Sequence, residues 1–185
     1  MLELTIQRGE LWDEQNEVFI PIPPVTLRLE HSLISLSKWE SKWKKPFLKT
    51  FEKIEQVKTD EWLDYIRCMT VNPNVPADAY LALTQDQMRV IHAYMNDPMT
   101  ATWFSDKNKK KPQSRQIVTA EIIYFKMTYL GIPFECEKWH LNRLTTLIRV
   151  CEEKSAPPKK MGQKEAAIDN ARLNAMRRKS LRSRG

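Results

Sequence analysis

The hydrophobic period of this chain changes at Ser32, and that change constrains the fold more than any other feature. Before Ser32 apolar residues alternate with polar ones. Leu2, Leu4 and Ile6 are interleaved with Glu3, Thr5 and Gln7, and Val25, Leu27 and Leu29 with Thr26, Arg28 and Glu30. A period of two lines up one apolar face of a half-buried strand. A further strand is expected over residues 17–22, behind a polar turn at residues 13–16. Pro21, Pro23 and Pro24 remove ladder donors, which makes that middle strand an edge or cuts it short. These strands predict a small antiparallel sheet.

After Ser32 the spacing becomes three and four. Ser32 is a candidate N-cap, and Leu36, Trp39, Trp43 and Phe47 form one helical stripe that Pro46 should end or bend. Phe51, Ile54 and Val57 extend it in a short second turn. Thr59, Asp60 and Glu61 open the next helix, with Trp62, Leu63, Ile66 and Met69 on its apolar face. Residues 72–78 read as a loop. Thr84 and Gln87 have capping-box spacing ahead of Met88, Ile91, His92 and Met95, and Asp97 and Pro98 stop that helix. A basic loop at residues 106–112 contains Lys107, Lys109, Lys110 and Lys111. A long helix is then expected from about Arg115 to Leu130, through Ile117, Ala120, Ile123, Tyr124 and Met127, ended by Gly131 and Pro133.

With 4 Gly against 11 Pro, the chain is poorly supplied for turn-rich β folds or glycine-built phosphate loops. The fold class expected is α+β. A small sheet in residues 1–31 packs on a helical body in residues 32–154 to make one domain, followed by an extension at residues 155–185. That extension is basic and contains helix formers, so it is expected to be helical or to be ordered by a partner.

The net charge of +7 resides in this extension. Residues 155–185 hold nine of the 30 Lys and Arg and two of the 23 Asp and Glu, which leaves 21 of each sign in residues 1–154. The first ten residues carry Glu3 and Arg8 with no apolar core, so no secretory signal is expected there. No charge-free apolar run approaches the roughly 18 residues of a membrane span. Cys68, Cys136 and Cys151 are widely spaced and odd in number, the pattern of free thiols in a reducing compartment.

The most signature-like stretch is EKWHLNRLTTLIRVCEEK, residues 137–154. On a helix, Leu144, Leu147, Ile148 and Cys151 make a core stripe with a charged exterior. Cys136 and His140 have the spacing of two ligands, but Cys151 lies 15 residues beyond Cys136, roughly 22 Å along a helix, too far to share a metal. A Cys136–His140 nucleophilic pair lacks an oxyanion site, and His31 and His92 are isolated. No Walker, Rossmann or paired-carboxylate pattern is present. Neither metal nor cofactor is expected, and no enzymatic activity.

Binding is the alternative. Trp39 and Trp43 beside Lys42, Lys44 and Lys45 have the arrangement of a base-stacking pair, though such a stripe more commonly belongs to a core with lysines solvating its back. If part of it is exposed, Trp39, Trp43 and Phe47 make a docking groove for an apolar helix. The electrostatic contacts expected are Arg177, Arg178, Lys179, Arg182 and Arg184, with Lys109, Lys110 and Lys111 adding to them. Phosphate binding through these cations would be strongly salt-dependent, but the extension has no aromatic residue for bases.

One segment also carries a resemblance. EIIYFKMTYLGIPFECEKWHLNRLTTLIRVCEEK (residues 121–154), SAPPKKM (residues 155–161) and ARLNAMRRKSLRSRG (residues 171–185) resemble tail-module proteins of tailed bacteriophages. These are encoded between the major tail protein and the tape measure protein and are commonly tail assembly chaperones. The resemblance implies a non-enzymatic partner of the tape measure protein or other tail proteins, capable of forming homo-oligomers. Such a protein works in the host cytoplasm during assembly. A structural protein of the virion tail or baseplate, and a nucleic-acid-binding protein using the basic extension, are the alternatives.

Overall fold

The computed structural model describes residues 1–14, 16–53, 56–104, 117–155 and 163–181. The chain divides after Glu152 into two units. The larger, Met1–Glu152, is α+β, with strands β1 (Leu2–Ile6), β2 (Gly9–Asp13), β3 (Val18–Ile22) and β4 (Val25–Leu29) ahead of the helices.

The expected sheet is present as two separate antiparallel pairs, β1–β4 and β2–β3. In β1–β4, Leu4 lies opposite Leu27 and Ile6 opposite Val25, so the alternating apolar residues share the inner face. Leu4, Ile6, Leu27 and Leu29 are all buried, each stabilising the fold by about 1.5–3 kcal/mol relative to exposure. Polar pairs occupy the outer face, where Arg28 meets Glu3 at 3.2 Å and the Thr5 and Thr26 hydroxyls lie 3.1 Å apart. The outer edge of β4 is covered locally. Asn72 accepts from the Arg28 amide at 2.9 Å and donates to the Thr26 carbonyl at 3.1 Å, satisfying backbone groups that an open edge would expose.

The hairpin β2–β3 is inserted between the paired strands. Its first strand was not foreseen, and β3 therefore pairs with β2, placing Pro21 opposite Glu10. Both strands are edges of a two-stranded sheet, where a missing proline N–H is tolerated.

Helix α1 (Leu33–Trp43) starts at Ser32, whose side chain accepts from the Ser35 amide in a reciprocal capping box. It ends at Lys44 in the left-handed region (φ 54°), just before Pro46. Phe47 thus opens a new helix, α2 (Phe47–Phe51), and does not extend the stripe of α1. Helix α3 (Thr59–Met69) packs on α1, and the Trp39 indole donates to the Glu61 carbonyl at 2.9 Å. A 3-10 turn at Ala77–Tyr80 begins inside the expected loop. Helix α4 (Gln85–Asn96) has the expected capping box, Thr84 with Gln87.

Helix α5 (Ala120–Tyr129) is shorter than expected, because residues 117–119 precede it in non-helical conformation. Thr119 makes no side-chain cap. The Glu40 carboxylate of α1 takes that role, accepting the Ala120 amide at 2.8 Å through Oε2 and the Phe47 amide at 2.7 Å through Oε1. One buried carboxylate thereby caps the first turns of both α2 and α5, where free N–H groups and the helix dipole favour negative charge. After α5, Gly131 adopts φ +66°, and a 3-10 turn (Phe134–Lys138) leads to α6 (Leu141–Ser155). Residues 137–154 are therefore not one helix. Of the stripe expected in α6, Leu144 and Ile148 are buried and Leu147 and Cys151 half-buried, and Leu141 beside them is buried as well.

The smaller unit, Glu153–Gly185, contains α7 (Gln163–Leu181). Its described side chains are all exposed.

Candidate interaction surfaces

The aromatic stripe expected to dock a partner is internal. Trp39 and Phe47 are completely or almost completely buried, with ring centroids 5.5 Å apart and edge to face. The turn at Lys44 and Pro46 folds Phe47 back onto α1, where it also stacks on Phe51 at 4.2 Å and lies 4.1 Å from Tyr65. A groove made of these residues is thus corrected to a core cluster, in which neither ring is available to a partner. Trp43 is half-buried. Its indole donates to Asp64 Oδ2 at 2.8 Å, and it borders a shallow cleft of about 300 Å³ shared with Lys42, Leu63, Arg67 and Leu81. The charge there is internally matched, since Lys42 also donates to Asp64.

The stretch at residues 137–154 holds helix ends together. His140 Nε2 donates to the Tyr94 carbonyl at 3.1 Å, and its Nδ1 accepts the Asn142 amide at 3.3 Å. Those two bonds fix a neutral imidazole with both nitrogens committed. The Asn142 amide donates to the Met95 carbonyl at 2.9 Å and the Asp97 carbonyl at 2.8 Å. Together His140 and Asn142 satisfy the carbonyls that the C-terminus of α4 leaves without helical partners. Trp139 carries the Arg143 guanidinium 4.1 Å above its ring. Cys136 is buried in the 3-10 turn.

Beside this clamp lies a buried imidazole. His31 shares a 2.5 Å hydrogen bond with the Tyr65 hydroxyl, and its ring lies 5.0 Å from that of His140. Burial, reinforced by His140, holds its pKa down at about 3, so it is neutral in the folded protein. Burial, with Asp64 close by, pushes the Cys68 thiol up to about 11, which suppresses the nucleophilic thiolate. Among the described residues, no group of three or more His, Cys, Asp or Glu is placed to hold a metal.

Exposed aromatic surface occurs elsewhere. Helix α5 is apolar on two faces. Ala120, Ile123 and Met127 enter the core, while Phe125 and Tyr129 stack on each other in solvent at 6.1 Å, 66% and 79% exposed. Phe134, also exposed, lies 6.4 Å from the half-buried Tyr124. The Tyr124 hydroxyl donates to Glu137 at 2.8 Å, and burial together with that carboxylate raises its pKa to about 12. A Lys126–Glu152 ion pair at 2.9 Å joins α5 to α6. Reading α5 for its core stripe alone missed this surface. The available signal was the second aromatic pair, Phe125 and Tyr129, four residues apart and off that stripe.

A second exposed pair, Trp12 and Phe19, sits across the β2–β3 hairpin with centroids 4.8 Å apart. Trp12 was missed because strand β2 was missed. On α7, Arg177, Arg178 and Lys179 are exposed, as are Ile168, Leu173 and Met176. Lys109, Lys110, Lys111, Arg182 and Arg184 lie outside the described residues. Among the described residues, no helix is long and apolar enough to cross a membrane.

No protein-family model, curated protein or solved structure matches the chain.

Proposed function

We propose that the protein is a non-enzymatic tail assembly chaperone of a tailed bacteriophage that binds the tape measure protein during tail morphogenesis. The observation that carries this reading is the exposed aromatic pair Phe125–Tyr129. It falls within the segment that resembles tail-module proteins. Phe125 and Tyr129 are adjacent on one face of a helix, an arrangement suited to receive the apolar stripe of a partner helix. Exposed aromatic patches of this kind commonly mark protein-binding sites. The docking role assigned to Trp39, Trp43 and Phe47 on sequence thus passes to α5. The cations of α7 supply steering and contacts to an acidic partner.

The test is affinity purification of the tagged protein from infected cells, with nuclease present, followed by mass spectrometry. Recovery of one long coiled-coil protein, lost on Phe125→Ser with Tyr129→Ser and absent when finished particles are probed for the bait, is the result expected. Bait retained in particles with tail or baseplate proteins would instead make it a virion component. Recovery that depends on nucleic acid would make it a nucleic-acid-binding protein.

A further inference from the structure

The β2–β3 hairpin and helix α7 are complementary in charge, in exposed apolar surface and in length. Strands β2 and β3 pair with each other and with no other described strand. A two-stranded hairpin is marginal alone in water, and this one displays its Trp12–Phe19 pair outward, 46% and 63% exposed. Residues 9–22 contain four acidic residues, Glu10, Asp13, Glu14 and Glu17, and no basic one. The hairpin is therefore an aromatic surface in an acidic setting.

Helix α7 has the opposite character. Residues 163–181 contain five basic residues and two acidic ones, and Ile168, Leu173 and Met176 are exposed among them. Its apolar residues are spread around the axis, so it has no stripe of its own to bury. A helix with no apolar stripe to bury is marginal in water without a packing partner. Five-residue strands run about 17 Å, the length of about eleven helical residues. That span matches the stretch from Ile168 to Arg178.

We propose that the protein self-associates head to tail, with α7 of one copy lying on the acidic aromatic hairpin of a second copy. On α7, Ile168, Arg172, Met176 and Lys179 recur at helical spacing on one face, so Arg172 and Lys179 meet the hairpin carboxylates, with the Arg172 guanidinium placed to cover the Trp12 indole in a cation–π contact. Ile168, Leu173 and Met176 supply apolar area against Trp12 and Phe19. The surfaces are different, so the contact is heterologous and each copy keeps one free donor and one free acceptor. Association therefore builds rings or open chains whose mass grows with concentration. This inference is independent of the chaperone reading, because it requires no partner other than the protein itself.

Sedimentation velocity of the purified full chain tests it. The sedimentation coefficient should rise with concentration at low salt and return to the monomer value in about 1 M salt, where the Debye length is about 3 Å. Glu10→Lys with Glu14→Lys, and separately Arg172→Glu with Lys179→Glu, should each weaken self-association by about tenfold or more. These positions are exposed, and circular dichroism checks that the variants are folded. An equimolar mixture of the two charge-reversed proteins should associate again, since each then supplies the sign the other needs. Phe125→Ser with Tyr129→Ser should associate as the unaltered chain does, which separates this contact from partner docking on α5. A wild-type chain that stays monomeric at every concentration overturns the proposal, and so does a mixture that fails to associate.

Discussion

Replacing Glu40 should damage two helices at once, although neither contains it. Glu40 is buried, and its two carboxylate oxygens accept from the first amides of α2 and α5, at 2.7 Å from Phe47 and 2.8 Å from Ala120. A hydrogen bond to a charged group contributes about 1.5–3 kcal/mol, and a buried donor left without an acceptor costs about 1–3 kcal/mol. Glu40→Gln keeps one acceptor oxygen and turns an NH2 group toward the other amide. It should cost about 2–3 kcal/mol, which for a chain of this size lowers the melting temperature by roughly 4–12 °C. Glu40→Ala removes both acceptors and should cost about 3–6 kcal/mol. Glu40→Asp, one methylene shorter, should reach one amide and fall near Gln. Thermal and urea melts give the totals, and hydrogen exchange at the Phe47 and Ala120 amides gives the location. The reasoning fails if Glu40→Gln melts within about 1 °C of wild type, or if both amides keep their protection in Glu40→Ala.

Four further outcomes follow from named contacts. The folded pKa of His31 lies below its unfolded value, so the unfolded chain binds the extra proton. Stability contributed by the neutral ring is fully present above pH 6.5 and is lost as pH falls toward about 3, by up to about 1.4 kcal/mol per pH unit. Between pH 7.5 and 4.5 the urea midpoint of wild type should fall more steeply than that of His31→Gln, so the two converge, and parallel slopes would contradict the assignment. Asn142→Ala strips two carbonyls of their donor and should cost about 1–2 kcal/mol in a thermal melt, whereas an unchanged midpoint would mean water replaces the amide. With burial holding its pKa near 11 against 9.0 for a free thiol, Cys68 should alkylate about 100-fold more slowly at pH 8 than an unfolded reference thiol, as peptide mass spectrometry would register. Trp39→Ala should cost about 3–5 kcal/mol and Phe125→Ser less than about 0.5 kcal/mol, and comparable losses from the two would refute their placement inside and outside the core.

Features written in a few consecutive residues were legible in the sequence. The change of period and the N-cap at Ser32, the capping box at Thr84, the stop at Pro46 and the turn at Gly131 each depend on side chains within about one helical turn. Pairings across long separations were not legible. β1 finds β4 across an inserted hairpin, and nothing local in residues 9–13 distinguishes an exposed strand carrying Trp12 from a loop. The start of α5 was misplaced for the same reason. Its cap is supplied by Glu40, 80 residues earlier, while Thr119, at the N-cap position itself, makes no side-chain cap.

The misreadings of the site share a physical origin. Composition and spacing identify which side chains lie on one face of a helix, but they do not say whether anything covers that face. Trp39, Trp43 and Phe47 dock a partner only if their stripe is exposed, but Lys42 and Lys45 reach over to pair with Asp64 and Glu61 of α3 while the Trp39 and Phe47 rings turn inward. Helix α5 gave the converse error, since its core stripe satisfied the expectation of burial and left the aromatics on its other face unexamined. At the head of α6 the spacing gives a core stripe and neither a metal nor a nucleophilic site, but it does not say what His140 and Asn142 bond. Those polar groups are what the blunt end of α4 requires, two donors aimed at its free carbonyls. A His or an Asn beside a helix terminus is thus weighed first against the backbone groups within its reach. In this protein that weighing moves functional attention away from residues 136–151 and onto Phe125, Tyr129, the acidic hairpin and α7, where exposed apolar side chains have no comparable structural duty.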